Sequence, residues 1–314
     1  MRSSAGALTR YLCITFVVSW FFWVPVMLAS YGLPSFTNGY VGTWFTDLVS
    51  GKGNTLSHWF VLFGGVLGPL AGAIAAWHHR AGKKGVITLF EHLIDVRISG
   101  LWGWLSAFFI PLIYFGIASA AVIGLSGVSF AIDGWPFTFI LLFLVGCLLI
   151  TGEELGWRGT QLPLHQENRS SLTSSFFVAL TWSFWHLPLM LMGSASADDP
   201  VGSLIGTLPF VLVIYPLMTI PAAILITTTF NTARGLILVP ILFHSFHNAL
   251  NADMSIQAAT DALKVQAEGM AGPILMLSLW VVAIAFILIF GRKRLSRYQK
   301  VTMQSMLGDK QASD

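Results

Sequence analysis

Charge is scarce in this sequence: Asp, Glu, Lys and Arg make up 10% of 314 residues, while 55% are apolar. Soluble domains carry about 25% charged residues, so a water-facing surface cannot be covered and a soluble globular protein is excluded. Cysteine is scarce too. Cys13 and Cys147 are the only two, each inside an apolar run and far apart, which leaves neither a disulfide framework nor a CxxC redox motif. The net charge of +3 is small and dispersed, so no nucleic-acid partner is expected. Internal repeats, low-complexity tracts, a soluble domain and an HExxH zinc motif are all missing. What the sequence has in quantity is aromatic: 12 Trp and 24 Phe, residues at home in lipid and at the headgroup boundary.

A spanning helix needs roughly 20 apolar residues. Eight stretches qualify: Tyr11–Tyr31, His58–Trp77, Leu101–Gly124, Pro136–Gly156, Ser174–Gly193, Thr207–Thr229, Gly235–Asn251 and Gly272–Phe290. The expected fold is therefore all-α and polytopic, one membrane-embedded domain over residues 1–314. The first stretch is too long for a signal peptide and lacks a small-residue cleavage site, so it reads as a retained helix. With both termini cytoplasmic, 15 Lys and Arg fall inside and two, Lys52 and Lys264, outside, as the positive-inside rule requires. Residues 292–314 read as a basic cytoplasmic tail. Lys83–Arg97 mixes Phe90, Leu93, Ile94 and Val96 with charged residues, and so predicts an amphipathic helix on the membrane surface. His78 and His79 read as interfacial.

Charges in the bilayer centre cost at least about 2.5–3.5 kcal/mol each on insertion scales, so those inside the apolar runs need a reason. Glu153, Glu154 and Arg158 close the fourth stretch in Thr151-Gly-Glu-Glu-Leu-Gly-Trp-Arg158. His186 lies in Trp182-Ser-Phe-Trp-His-Leu-Pro188, and His244, His247 and Asn248 lie in Phe243-His-Ser-Phe-His-Asn248. Residues four apart share a helix face. Glu154 can therefore pair with Arg158, Trp182 sits above His186, and His244 sits above Asn248. Glu153 lies about 100° round the helix from Glu154 and can point elsewhere. Convergence of Glu153, His186, His244 and Asn248 would supply a base, a second proton carrier and two hydrogen-bond donors, the equipment for attacking an amide with water. His247 reads as an interhelical hydrogen bond, and Glu154–Arg158 reads equally as a structural salt bridge.

In that order on three helices, Glu153-Glu154-xxx-Arg158, Trp182-xxx-His186 and His244-xxx-Asn248 resemble the three motifs of the CPBP family. This family comprises the Ras-converting CAAX endopeptidases and the bacterial Abi, or bacteriocin-immunity, proteins. The motif core spans about residues 136–251. One departure is mild: Trp182 stands where the family usually has Phe. The resemblance implies an eight-helix intramembrane endopeptidase of the bacterial inner membrane, cutting near the C-terminus of a membrane-associated or lipidated protein or peptide. It implies that Glu153 and His186 activate water and that His244 and Asn248 form the oxyanion hole. Glu154, Arg158 and Trp182 would support them. No cofactor is favoured, although a zinc site of Glu153, His186, His244 and water is chemically reasonable.

Two other classes stand beside this one. A non-catalytic immunity or scaffold protein would keep the motifs, and a proton-coupled transporter would also hold Glu, Arg and His in the membrane. The sequence also raises a question of depth. At about 1.5 Å per residue, His186 and His244 lie roughly 14–18 Å from the cytoplasmic ends of their helices, while Glu153 lies within roughly 5 Å of its own. Tilt, bilayer thinning or extension of the fourth helix through Trp157 would bring them level.

Overall fold

The computed structural model describes residues 2–39, 56–132 and 136–308. Its helices are α1 (Ser4–Ser30), α2 (Leu56–Ile94), α3 (Leu101–Ser126), α4 (Pro136–Gly156), α5 (Leu162–Gln166), α6 (Ser171–Trp185), α7 (Leu187–Gly193), α8 (Pro200–Pro209), α9 (Tyr215–Thr232), α10 (Leu238–Asp253), α11 (Asp261–Phe290) and α12 (Met303–Met306). The only sheet among the described residues is an antiparallel ribbon of β1 (Ser129–Ile132) and β2 (Met254–Gln257), with Ser129 opposite Gln257.

Among the described residues, six helical stretches are long and apolar enough to cross a bilayer: Ser4–Ser30, Leu56–Ile94, Leu101–Ser126, Phe137–Gln166, Pro200–Thr232 and Asp261–Phe290. The pair α6 and α7, bent by 45°, makes a seventh if it counts as one span. Their outer faces carry Leu148 and Leu288, exposed by 75% and 79%, where apolar side chains meet lipid. The protein is an all-α polytopic membrane protein. The expected Gly235–Asn251 span is shorter than the others. It is helical over the 16 residues of α10, about 24 Å at 1.5 Å per residue, against about 30 Å of hydrocarbon. The chain enters it late because Arg234 (φ 56°) and Gly235 (φ 92°) turn through the left-handed region.

Close helix approach builds the core. Gly64, Gly68 and Gly72 recur every fourth residue along α2 and face α1; a Cβ on Gly68 would lie 2.9 Å from the Thr15 carbonyl oxygen. Without a hydrophobic drive between helices in lipid, such small residues let backbones pack and polar side chains bond across. Ser19 of α1 donates to the Gly64 carbonyl at 2.7 Å, and the Trp23 indole donates to that of Val61 at 2.9 Å. Gly152 does the same between α4 and α2, where a Cβ would lie 2.2 Å from the Val66 carbonyl oxygen.

Three expectations are refined. The fourth span does not stop at Gly156: it continues as a π-helical turn, Trp157–Gln161, into α5. Glu153 is thus 13 residues before the end of a stretch running to Gln166, roughly 20 Å in depth, and it comes level with His186 and His244 by helix extension. The predicted surface helix is the second half of α2, separated by a break at Ala81 and Gly82 (φ 62°). It buries Leu89 and exposes Phe90 and Ile94, and the Ile237 amide donates to its His92 carbonyl at 2.7 Å. The basic tail, over its described part, is docked and not loose. Leu295, Val301, Met303, Met306 and Leu307 are buried. The Gln166 amide donates to the Val301 carbonyl at 2.7 Å, and the Asn231 amide donates to that of Arg294 at 2.8 Å.

Candidate active site

Adjacent positions on α4 send the two glutamates to different partners. Glu153 lines a cavity of about 700 Å³ inside the bundle, as do His186, His244, His247 and Asn248. The four residues expected to converge therefore share one space. Glu154 faces away from it and is fully buried. Arg158 Nη1 donates to Glu154 Oε1 at 2.9 Å, and His244 Nδ1–H donates to the same oxygen at 2.8 Å. The expected pair is thus a triad that ties α4 to α10.

Trp182 links this buried triad to the cavity. Its indole N–H donates to Glu153 Oε2 at 3.3 Å. Its ring lies 5.1 Å below the Arg158 guanidinium and stands edge-on to His244 at 5.3 Å. Arg158 belongs to the π-helical turn. That widened backbone is of the kind that often marks functional sites, and it holds Arg158 against both Glu154 and Trp182.

His186 sits at the bend between α6 and α7. Pro188, in the first turn of α7, has no N–H to give the Phe184 carbonyl, and the helix breaks there. His186 Nδ1–H donates to the Trp182 carbonyl at 2.8 Å. A carbonyl only accepts, so Nδ1 carries the proton in the neutral ring and Nε2 keeps its lone pair. The same logic applies to His244, whose Nδ1 faces a carboxylate. Asn248, one turn further along α10, brings an amide donor that needs no protonation. His247 Nδ1 is hydrogen-bonded to the Tyr114 hydroxyl at 2.7 Å, joining α10 to α3, and it borders the cavity as well.

The cavity wall contains residues that sequence reasoning missed. Tyr215, Trp23 and Trp185 surround His186, with ring centroids at 5.5, 6.4 and 4.6 Å. Two signals could have found them. A Tyr inside an apolar run needs a partner for its hydroxyl, and Trp in mid-span departs from the usual belt at the headgroups. Among the described residues no three His, Cys, Asp or Glu side chains are grouped closely enough to hold a metal ion. Glu153, His186 and His244 border one cavity without gathering round one point.

Fold and cavity together define a polytopic helical membrane protein with an acid, imidazoles and an amide turned into one intramembrane space. Residues 133–250, which hold all three motifs, match the family model described as Rce1-like, type II CAAX prenyl endopeptidase. A CAAX prenyl protease 2 of Methanococcus maripaludis is 31% identical over 163 residues, covering 52% of this chain and 52% of that protein. The match thus spans about half the length of that relative. Over the stretch that holds the three motifs the chain is thus similar to CAAX-protease-like membrane endopeptidases.

Proposed function

We propose that the protein is an intramembrane endopeptidase that hydrolyses a peptide bond with a water activated by Glu153 and His186. The observation that carries this reading is the meeting of Glu153, His186, His244 and Asn248 in one cavity, from three separate helices. Glu153 takes a proton from water and the hydroxide adds to the scissile carbonyl carbon. The neutral His186, with Nε2 as acceptor, holds the water in line. The tetrahedral oxyanion is met by the Asn248 amide, whose donor is present in every protonation state. His244 joins as a donor only as an imidazolium, because its Nδ1 proton is engaged by Glu154. The proton on Glu153 then passes to the leaving nitrogen as the C–N bond breaks, giving an amine and a carboxylic acid, whose proton the amine takes up on release, and leaving Glu153 a carboxylate again. No step is routed through a metal.

The substrate class is a membrane-associated or lipidated protein or peptide, cut near its C-terminus, in line with the relative's name as a CAAX prenyl protease. Both termini face the cytoplasm of a bacterial inner membrane, a reading supported by the 15-to-2 split of Lys and Arg. A membrane-peptide library incubated with purified protein beside Glu153→Gln tests the chemistry. The amide keeps the shape and cannot take the proton, so hydrolysis should fall by about 10²–10⁴. Cleavage by Glu153→Gln at the wild-type rate removes the hydrolase reading.

A further inference from the structure

The turn that follows the last spanning helix presents Arg292, Lys293, Arg294 and Arg297 to the outside, all exposed. They and the end of α11 line an open recess of about 640 Å³. Three features separate this turn from an ordinary solvated charge run. First, the backbone is pinned. The amides of Ser171 and Leu172 donate to the Lys293 and Arg292 carbonyls at 3.0 and 3.1 Å, Asn231 holds Arg294, and Leu295 is fully buried beneath. The backbone that carries the cations is held in place before any ligand arrives, so only side-chain rotamers remain to be ordered on binding. Second, none of the four is ion-paired with a carboxylate among the described residues. Third, the other side of the recess is apolar. Ile289 and Phe290 line it, and Leu288 and Ile289 are exposed to lipid just above. Arg297 lies 5.0 Å over the ring of Trp102, an exposed Trp of the kind that marks the headgroup level.

We infer that this turn is a binding site for an anionic membrane phospholipid, its phosphate held by Arg292, Lys293 and Arg294 and its acyl chains lying along Leu288 and Ile289. A free inorganic phosphate would satisfy the cations and leave the apolar side unused. A lipid satisfies both. Each basic residue near an anionic leaflet strengthens binding roughly fivefold, so three of them contribute roughly a hundredfold.

The test uses the whole protein in neutral detergent, exposed to equal amounts of dioleoylphosphatidylglycerol and dioleoylphosphatidylcholine, with retained lipid read by native mass spectrometry. Preferential retention of phosphatidylglycerol is expected, weakened by added salt and unaffected by excess inorganic phosphate. The Arg292→Gln/Lys293→Gln/Arg294→Gln variant should bind it roughly a hundredfold more weakly. Arg292→Lys/Arg294→Lys, which keeps the charge, should stay within a few-fold of wild type. Equal retention of the two lipids, salt-insensitive retention by the wild type, displacement by phosphate, or an unchanged triple Gln variant would each overturn the proposal. The wild-type measurements decide it even if the triple variant folds poorly.

Discussion

The Glu154 triad makes an asymmetric prediction. Arg158 is fully buried, and Glu154 is its one carboxylate partner among the described residues, at 2.9 Å. Replacing Glu154 with Gln leaves a guanidinium in the bundle facing a neutral amide, a change of the kind that costs about 3–5 kcal/mol. Replacing Arg158 with Met leaves the Glu154 carboxylate with His244 still bonded at 2.8 Å. An imidazole can take up a proton and neutralise it, so this loss should fall at or below the lower end of the same range. Removing both charges together in Glu154→Gln/Arg158→Met should cost far less than the two single losses combined, since buried pairs replaced by neutral groups of similar volume are often close to neutral. Unfolding followed by tryptophan fluorescence in detergent, with folded yield alongside, reads all three variants. Costs that add to within about 0.5 kcal/mol would show that the two residues do not stabilise each other. Equal single losses would show that His244 does not serve Glu154. Cleavage should fall in all three, because His244 is aimed at the cavity by the same carboxylate.

Other outcomes follow from neighbouring contacts. Trp182→Phe removes the indole donor at 3.3 Å from Glu153 and keeps an aromatic ring. A hydrogen bond to a charged group contributes about 1.5–3 kcal/mol, and this long one sits at the low end, so kcat/KM should fall about tenfold at unchanged folded yield. An unchanged rate would remove Trp182 from the positioning of Glu153. Asn248→Ala should lower kcat by about 10²–10³ with KM little changed, whereas a loss confined to KM would make Asn248 a substrate contact. Metal analysis of the active protein belongs with these variants: stoichiometric zinc that disappears in His186→Ala or His244→Ala would turn both imidazoles into ligands. Gly152→Ala places a methyl 2.2 Å from the Val66 carbonyl oxygen and should destabilise by about 1–3 kcal/mol while displacing Glu153. Gly124→Ala, with nothing within 4 Å, should do neither. Reporter fusions at residues 130 and 200 should label the outer side and those at 85 and 300 the inner; an outer signal at 300 would reverse the orientation.

What the sequence disclosed and what it hid follow from one rule with two signs. Inside lipid a charge is expensive, so Glu153, Glu154, Arg158, His186, His244 and Asn248 stand out against apolar surroundings, and they do occupy the cavity and its support. Tyr215, Trp23 and Trp185 cost little there, and the walls of the same cavity carried no contrast. The rule also misjudged the end of the fourth span. Arg158, Gln161, His165 and Gln166 look like a helix leaving the membrane, yet all four are buried, with Gln161 donating to Thr181 at 3.0 Å and Gln166 to Asn231 at 3.1 Å. Hydropathy measures the preference for lipid over water and is silent about a third environment, the protein interior, where polar groups find partners. Past Phe290 the sign reverses. There the surroundings are aqueous, charge is cheap, and the informative residues are the apolar ones. Leu295, set among five basic residues from Arg292 to Lys300, and Val301, Met303, Met306 and Leu307 just past them are the anchors that fold the tail back under the bundle, and a reading tuned to find charges in lipid passes over them.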